Sequence, residues 1–87
     1  MRVLLISTYE LGRQPFGLAS PAAWLRDAGA EVVCLDLARE PLDDQILRTA
    51  DAVAFFLPMH TATRLALPVI RHTRQINPAA QLCAYGL

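Results

Sequence analysis

The stretch Ala52-Val53-Ala54-Phe55-Phe56-Leu57, stopped by Pro58, is the most apolar in the chain and decides its fold. It reads as the central strand of a sheet covered on both faces, where the usual in-out alternation gives way to a continuous hydrophobic run. Three more runs of the same kind lie around it: Val3-Leu4-Leu5-Ile6 within 2–7, Val32-Val33-Cys34-Leu35 within 31–37, and Leu82-Cys83-Ala84-Tyr85 near the end. Helical segments separate all four. Strict alternation of strand and crossover predicts parallel strands with right-handed connections, and the doubly wound order 2-1-3-4 puts the point where strand order reverses between strands one and three. The reading is a Rossmann-like α/β sheet of three layers, a single partial domain over 1–87 that stops short of a final helix and a fifth strand, leaving the fourth as a bare apolar edge open to pairing with another chain.

The crossovers carry recognisable start and stop signals. Ser20-Pro21 is a hydroxyl cap followed by proline at the first helical position, and Gly29 is the stop; the alternative is a helix from near Phe16 that bends at Pro21. Ala22, Leu25 and Ala28 form its inner side. Asp43 or Asp44 caps a short second helix ending at Thr49, with Ile46 and Leu47 inward. Thr61 or Thr63 opens the third, which Asn77-Pro78 closes; Leu65, Val69 and Ile76, with Ala62 and Thr73, make its buried stripe. Pro68 lies inside that helix, so either its first turn is kinked or its regular part begins there.

Composition narrows the function. Of 87 residues, 54% are hydrophobic and 18% charged, with eight basic residues balancing eight acidic ones. Such a chain buries roughly 60–65% of its unfolded surface, and with no basic stripe to neutralise phosphates, nucleic acid is not an expected partner. The apolar runs fall well short of the ~20 residues that span a bilayer, and the start lacks the pattern of a signal peptide. The expectation is a cytoplasmic protein without a membrane partner. Cys34 and Cys83 sit inside apolar runs as small buried hydrophobes, two strands and about 14 Å apart at the ~4.8 Å strand spacing, too far for a disulfide. With only His60 and His72 beside them, no metal-ligand spacing arises.

The loops after strands one and three, 8–17 and 58–63, flank the expected ligand crevice. Familiar phosphate signatures fail there. Gly12 and Gly17 have the spacing of a P-loop, but Leu18-Ala19 stands where lysine and a hydroxyl are required. The three glycines of a dinucleotide fingerprint are missing, so Asp36 reads as a turn-forming or capping residue. A phospho-receiver needs acidic residues after strands one and three and a lysine, and the chain has no lysine. His60 is the one crevice side chain that titrates near neutrality; it reads either as a cofactor or metal contact or as a cap for the third helix. His72 reads as solvated, and Trp24, Phe55 and Phe56 as core. Tyr9, Phe16 and Met59, apolar and on loops, favour a large apolar ligand.

The segments Gly17-Leu18-Ala19 through Trp24-Leu25-Arg26-Asp27-Ala28-Gly29-Ala30-Glu31-Val32, then Leu35-Asp36-Leu37, Ala50-Asp51-Ala52-Val53-Ala54, Met59-His60-Thr61 and Ile76-Asn77-Pro78 resemble, in order and spacing, the N-terminal cobalamin-binding domain of B12-binding radical SAM enzymes. The resemblance covers nearly the whole chain. It implies a flavodoxin-like sheet with a corrinoid across the strand ends, held by analogy through Ser7, Thr8, Tyr9 and Gly12 after strand one, the segment Leu57, Pro58, Met59, His60 and Thr61, and the turn at Gly86. It also implies a following radical SAM barrel in the parent chain, with S-adenosylmethionine and a [4Fe-4S] cluster, performing methyl transfer or another radical step. This chain lacks the barrel's three-cysteine motif, so the expected catalyst is the parent protein. It also lacks the Asp-x-His-x-x-Gly motif that ligates cobalt from below, and it has Phe56 and Leu57 where related domains often carry hydroxyls. Two other functions suit the residues: a cofactor-free interaction or scaffolding domain that assembles through its last strand, and a small flavin or nucleotide binder.

Overall fold

A computed structural model describes residues 1–9 and 16–86. The elements run β1 (Arg2–Ser7), α1 (Phe16–Asp27), β2 (Glu31–Asp36), α2 (Asp44–Thr49), β3 (Ala52–Phe56), α3 (His60–Ile76) and β4 (Gln81–Tyr85). The four strands form one sheet in the order β2-β1-β3-β4, every pairing parallel. This is the α/β arrangement of flavodoxin-like folds, with β1 and β3 as the central pair.

Alternation along the strands sorts the core into two layers. Leu4, Ile6, Leu35, Val53 and Phe55 point to one face, where Leu47 and Ala50 of the α2 segment and Ala66 of α3 join them. Val3, Leu5 and Ala54 point to the other and pack against Leu18 and Ala22 of α1. Asn77 ties the first layer together: its Nδ2 donates to the carbonyls of Leu47 and Ala50, each at 2.8 Å. His72 bridges the same two helices, its Nε2 lying 2.7 Å from Asp44 Oδ1, so it is half-buried and paired rather than solvated.

Helix α1 takes the earlier of the two starts. Beginning at Phe16, it places Leu18, Ala22 and Leu25 at helical spacing on the sheet, a stripe that a start at Pro21 would lose. Phe16 thereby belongs to α1 and not to a loop. The helix ends in a Schellman turn, with Ala30 N–H donating to Leu25 O and Gly29 N–H to Arg26 O, and Gly29 takes the left-handed φ of 95° that this turn requires.

Helix α3 runs through Pro68 without ending. Pro68 and Arg64 are both on the solvent side, where water can serve the carbonyl left without its helical donor. The fully buried positions of α3 are Ala62, Ala66 and Thr73, while Leu65 is 48% exposed and outside the stripe. Small residues at the contact let the helix sit close to the sheet, and the larger Leu65 falls on its flank. Trp24 also departs from expectation: it is 80% exposed on α1 and not core. Cys34 is half-buried on β2, but Cys83 is exposed on the edge strand; β1 and β3 separate the two thiols, both free. Burial pushes the Cys34 thiol pKa up, against a smaller opposing pull from Arg26. Among the described residues, no helix is long and apolar enough to cross a membrane.

Candidate functional site

The carboxyl ends of the strands are built in two tiers. In the first tier the registers Ser7↔Asp36, Ser7↔Phe56 and Phe56↔Tyr85 set four side chains in a row across the sheet. Alternation with Val3 and Leu5 turns Ser7 to the α1 face, and alternation with Val32 and Cys34 turns Asp36 the same way. Phe56 and Tyr85 pack on that face too; their ring centroids are 5.4 Å apart at an interplanar angle of 38°. Acid, hydroxyl and two aromatic rings thus follow one another beside the start of α1.

Ser7 is the anomaly in this row. Its Oγ is buried and has no hydrogen-bond partner among the described residues, a state that costs about 1–3 kcal/mol unless a partner arrives. Asp36 is occupied: Oδ1 accepts from Ala38 N–H at 3.1 Å and Oδ2 lies 3.5 Å from Arg39 Nε. It is the turn-forming aspartate that its sequence context indicates.

The second tier continues each strand by a residue or two toward the loops. Leu37 N–H donates to Ser7 O, and Leu57 N–H donates to Tyr85 O, both at 2.8 Å. Thr8, turned to the α3 face and buried, donates from Oγ1 to Ala62 O at 2.8 Å. That bond joins the segment leaving β1 to the first turn of α3. Around it, Tyr9, Pro58 and Met59 are half-buried, and His60 and Thr61 are exposed. Leu57 belongs to the core and supports the rim from below.

Helix α3 begins without a side-chain cap. Its N-cap is Met59, which makes no capping bond, so first-turn N–H groups are left for another acceptor and carry the partial positive charge of the helix dipole. His60 is the first helical residue, and the capping role considered for it is not filled at this N-cap.

Gly86 follows the edge strand β4 and has φ 96°. A Cβ there would lie 2.7 Å from Phe56 Cδ1 and Cε1, so the aromatic ring of the first tier packs directly on this backbone. Of the sequence-expected site residues, the structure brings Thr8, Tyr9, Pro58, Met59, His60 and Thr61 to the β1–β3 rim, and Ser7 lies beneath it on the α1 side. Gly86 stands two strands from β1, next to Phe56. Gly12 lies outside the described residues. Sequence reasoning missed the Ser7–Phe56–Tyr85 row; strand alternation with matched register was the available signal. Among the described residues, no group of three or more His, Cys, Asp or Glu side chains could hold a metal ion.

No protein-family model matches the chain, and no curated protein or solved structure is significantly similar to it.

Proposed function

We propose that this domain binds a corrinoid, cobalamin, at the carboxyl ends of β1 and β3, as part of a parent polypeptide whose radical SAM barrel holds S-adenosylmethionine and a [4Fe-4S] cluster. The observation that carries this is the Thr8 to Ala62 hydrogen bond, which sets the loops after β1 and β3 on one rim at the point where strand order reverses. In open α/β sheets that crevice is where ligands sit.

The residues there suit a large, mostly apolar ligand edged with acceptors. Tyr9, Pro58 and Met59 offer half-buried apolar surface, while the uncapped first turn of α3 offers donors to the amide oxygens that rim a corrin. The orphan Ser7 hydroxyl is a further group in need of a partner. Bound cobalamin would supply the methyl-transfer or radical chemistry itself; the domain's residues orient it, exclude water from it and limit access to its lower face. The sequence has no Asp-x-His-x-x-Gly motif, so a cobalt-binding histidine of that kind would not be supplied by the loop after β1.

Incubation of the purified domain with hydroxocobalamin, followed by gel filtration with visible detection, tests the reading. Corrin absorbance is expected to elute with the protein. Complete separation of colour from protein overturns the proposal and favours the reading of an interaction domain without cofactor.

A further inference from the structure

The balance of eight basic and eight acidic residues hides a segregation along the chain. Residues 1–51 hold all eight acids with five arginines, a net charge of −3, whereas residues 52–87 hold three arginines and no acid, a net charge of +3. The fold gathers the positive part on α3. His60, Arg64, Leu67, Arg71 and Arg74 recur at spacings of four, three, four and three residues, all exposed, on the side of the helix opposite its buried Ala62, Ala66 and Thr73. They make one outward stripe about 21 Å long. Arg74 is engaged, donating to the carbonyls of Pro78 and Ala80. Arg64 and Arg71 have no hydrogen-bond or ion-pair partner among the described residues, and Leu67 stands between them, 47% exposed.

The negative part forms a groove beside the start of α2. Its volume is about 620 Å³, and Leu35, Leu42 and Ile46 line it together with Glu40, Asp43 and Asp44. The three apolar residues belong to the same core layer as Ala66 of α3, so groove and stripe lie on one side of the sheet. No cation lines the groove: Arg39 faces Asp36 outside it, and Arg48 lies one turn further along α2. Asp43 Oδ1 accepts from Gln45 N–H, and Asp44 Oδ1 lies 2.7 Å from His72 Nε2. The Oδ2 atoms of both and the Glu40 carboxylate remain without a partner among the described residues.

We infer that this chain forms an isologous dimer in which the Arg64–Leu67–Arg71 stripe of each copy seats in the acidic groove of the other. Each surface supplies what the other lacks. Two guanidinium forks meet carboxylate oxygens that they can bind in bidentate fashion, and an exposed leucine meets a floor of Leu35, Leu42 and Ile46. Because stripe and groove share one side of the sheet, a single two-fold contact forms both pairings at once. A nucleic acid or an anionic membrane laid on this side would meet the carboxylates of the groove as well as the stripe, whereas a second copy satisfies both. The inference rests on these residues and is independent of the corrinoid reading.

Sedimentation equilibrium of the 87-residue chain should show monomer and dimer, with association weakening roughly tenfold or more between about 0.01 M and about 1 M salt, as the screening length falls from about 30 Å to about 3 Å. Arg64→Glu/Arg71→Glu reverses the stripe at exposed positions, and Glu40→Arg/Asp43→Asn removes the negative charge of the groove while keeping a capping side chain at 43. Each variant alone should retain the circular dichroism of the fold and weaken self-association roughly tenfold or more. Mixed, the two should associate again as a heterodimer, because one of its two contacts is wholly native and the other sets introduced carboxylates against an introduced guanidinium. The salt series on the unaltered chain decides the matter if a variant fails to fold. A chain that stays monomeric in low salt, including one that instead binds a DNA duplex or phosphatidylserine vesicles through α3, overturns the inference. So does a dimer that high salt or either folded variant leaves intact, or a mixture of folded variants that stays unassociated.

Discussion

Thr8 and Ala62, 54 residues apart in sequence, are joined by a buried 2.8 Å hydrogen bond from the threonine hydroxyl to the alanine carbonyl. The bond fixes where α3 begins relative to the end of β1, and the width of the crevice depends on it. Replacing Thr8 with valine keeps the shape and removes the donor. The expected loss is about 1 kcal/mol, read as a lower urea midpoint with an unchanged slope, together with faster amide exchange in the first turn of α3. Thr8→Ser should retain most of the stability.

Asn77 does more than end α3. Its amide donates to the carbonyls of Leu47 and Ala50 at the end of α2, at 2.8 Å each, adding to the longer 3.4 Å bond that Leu47 O accepts from Ala50 N–H. Asn77→Ala is expected to cost about 1–3 kcal/mol. Exchange protection should fall first across 44–50, as hydrogen exchange followed by mass spectrometry can check.

Gly29 has a positive φ, and a Cβ added to it would meet nothing within 4 Å, so a side chain there faces only backbone strain. Gly29→Ala should cost about 1 kcal/mol from the left-handed conformation alone, and Gly29→Asn less, because asparagine tolerates that region. Thermal unfolding of the pair measures the difference.

Burial raises the pKa of the Cys34 thiol above 9.0. The folded chain then holds that proton to higher pH than the unfolded chain does. The resulting stability is complete below pH 9 and declines as pH rises from there through the folded pKa. Chemical denaturation from pH 8 upward should show this alkaline decline, and Cys34→Ala should remove the part due to the thiol.

The strands were legible because each is a short apolar run bounded by polar or turn residues, and alternation with helices left one parallel topology. Side-chain placement was less so. Trp24 reads as core by hydrophobicity, yet it lies on the outward side of α1; Leu65 reads as buried by size, yet Ala62 and Ala66 make the contact. In both cases the phase of the helix against the sheet decided, and phase depends on where the helix starts. The helix cap Ser20-Pro21 was a stronger local signal than Leu18, whose burial against Val3 and Leu5 is a tertiary effect. His72 found Asp44 across 28 residues, a pairing that no local pattern announces. At the site, the hydroxyls after β1 and the Met59-His60-Thr61 segment could be read from loop position alone. The Ser7–Phe56–Tyr85 row required register.

The most direct test of the crevice is residue-resolved. In amide NMR spectra of isotope-labelled protein titrated with hydroxocobalamin, shift changes should concentrate at Thr8, Tyr9, Met59, His60 and Thr61 and saturate together. Changes confined to the exposed faces of α1 and α2, or an unchanged spectrum at saturating corrinoid, would contradict the assignment of this rim as the ligand site.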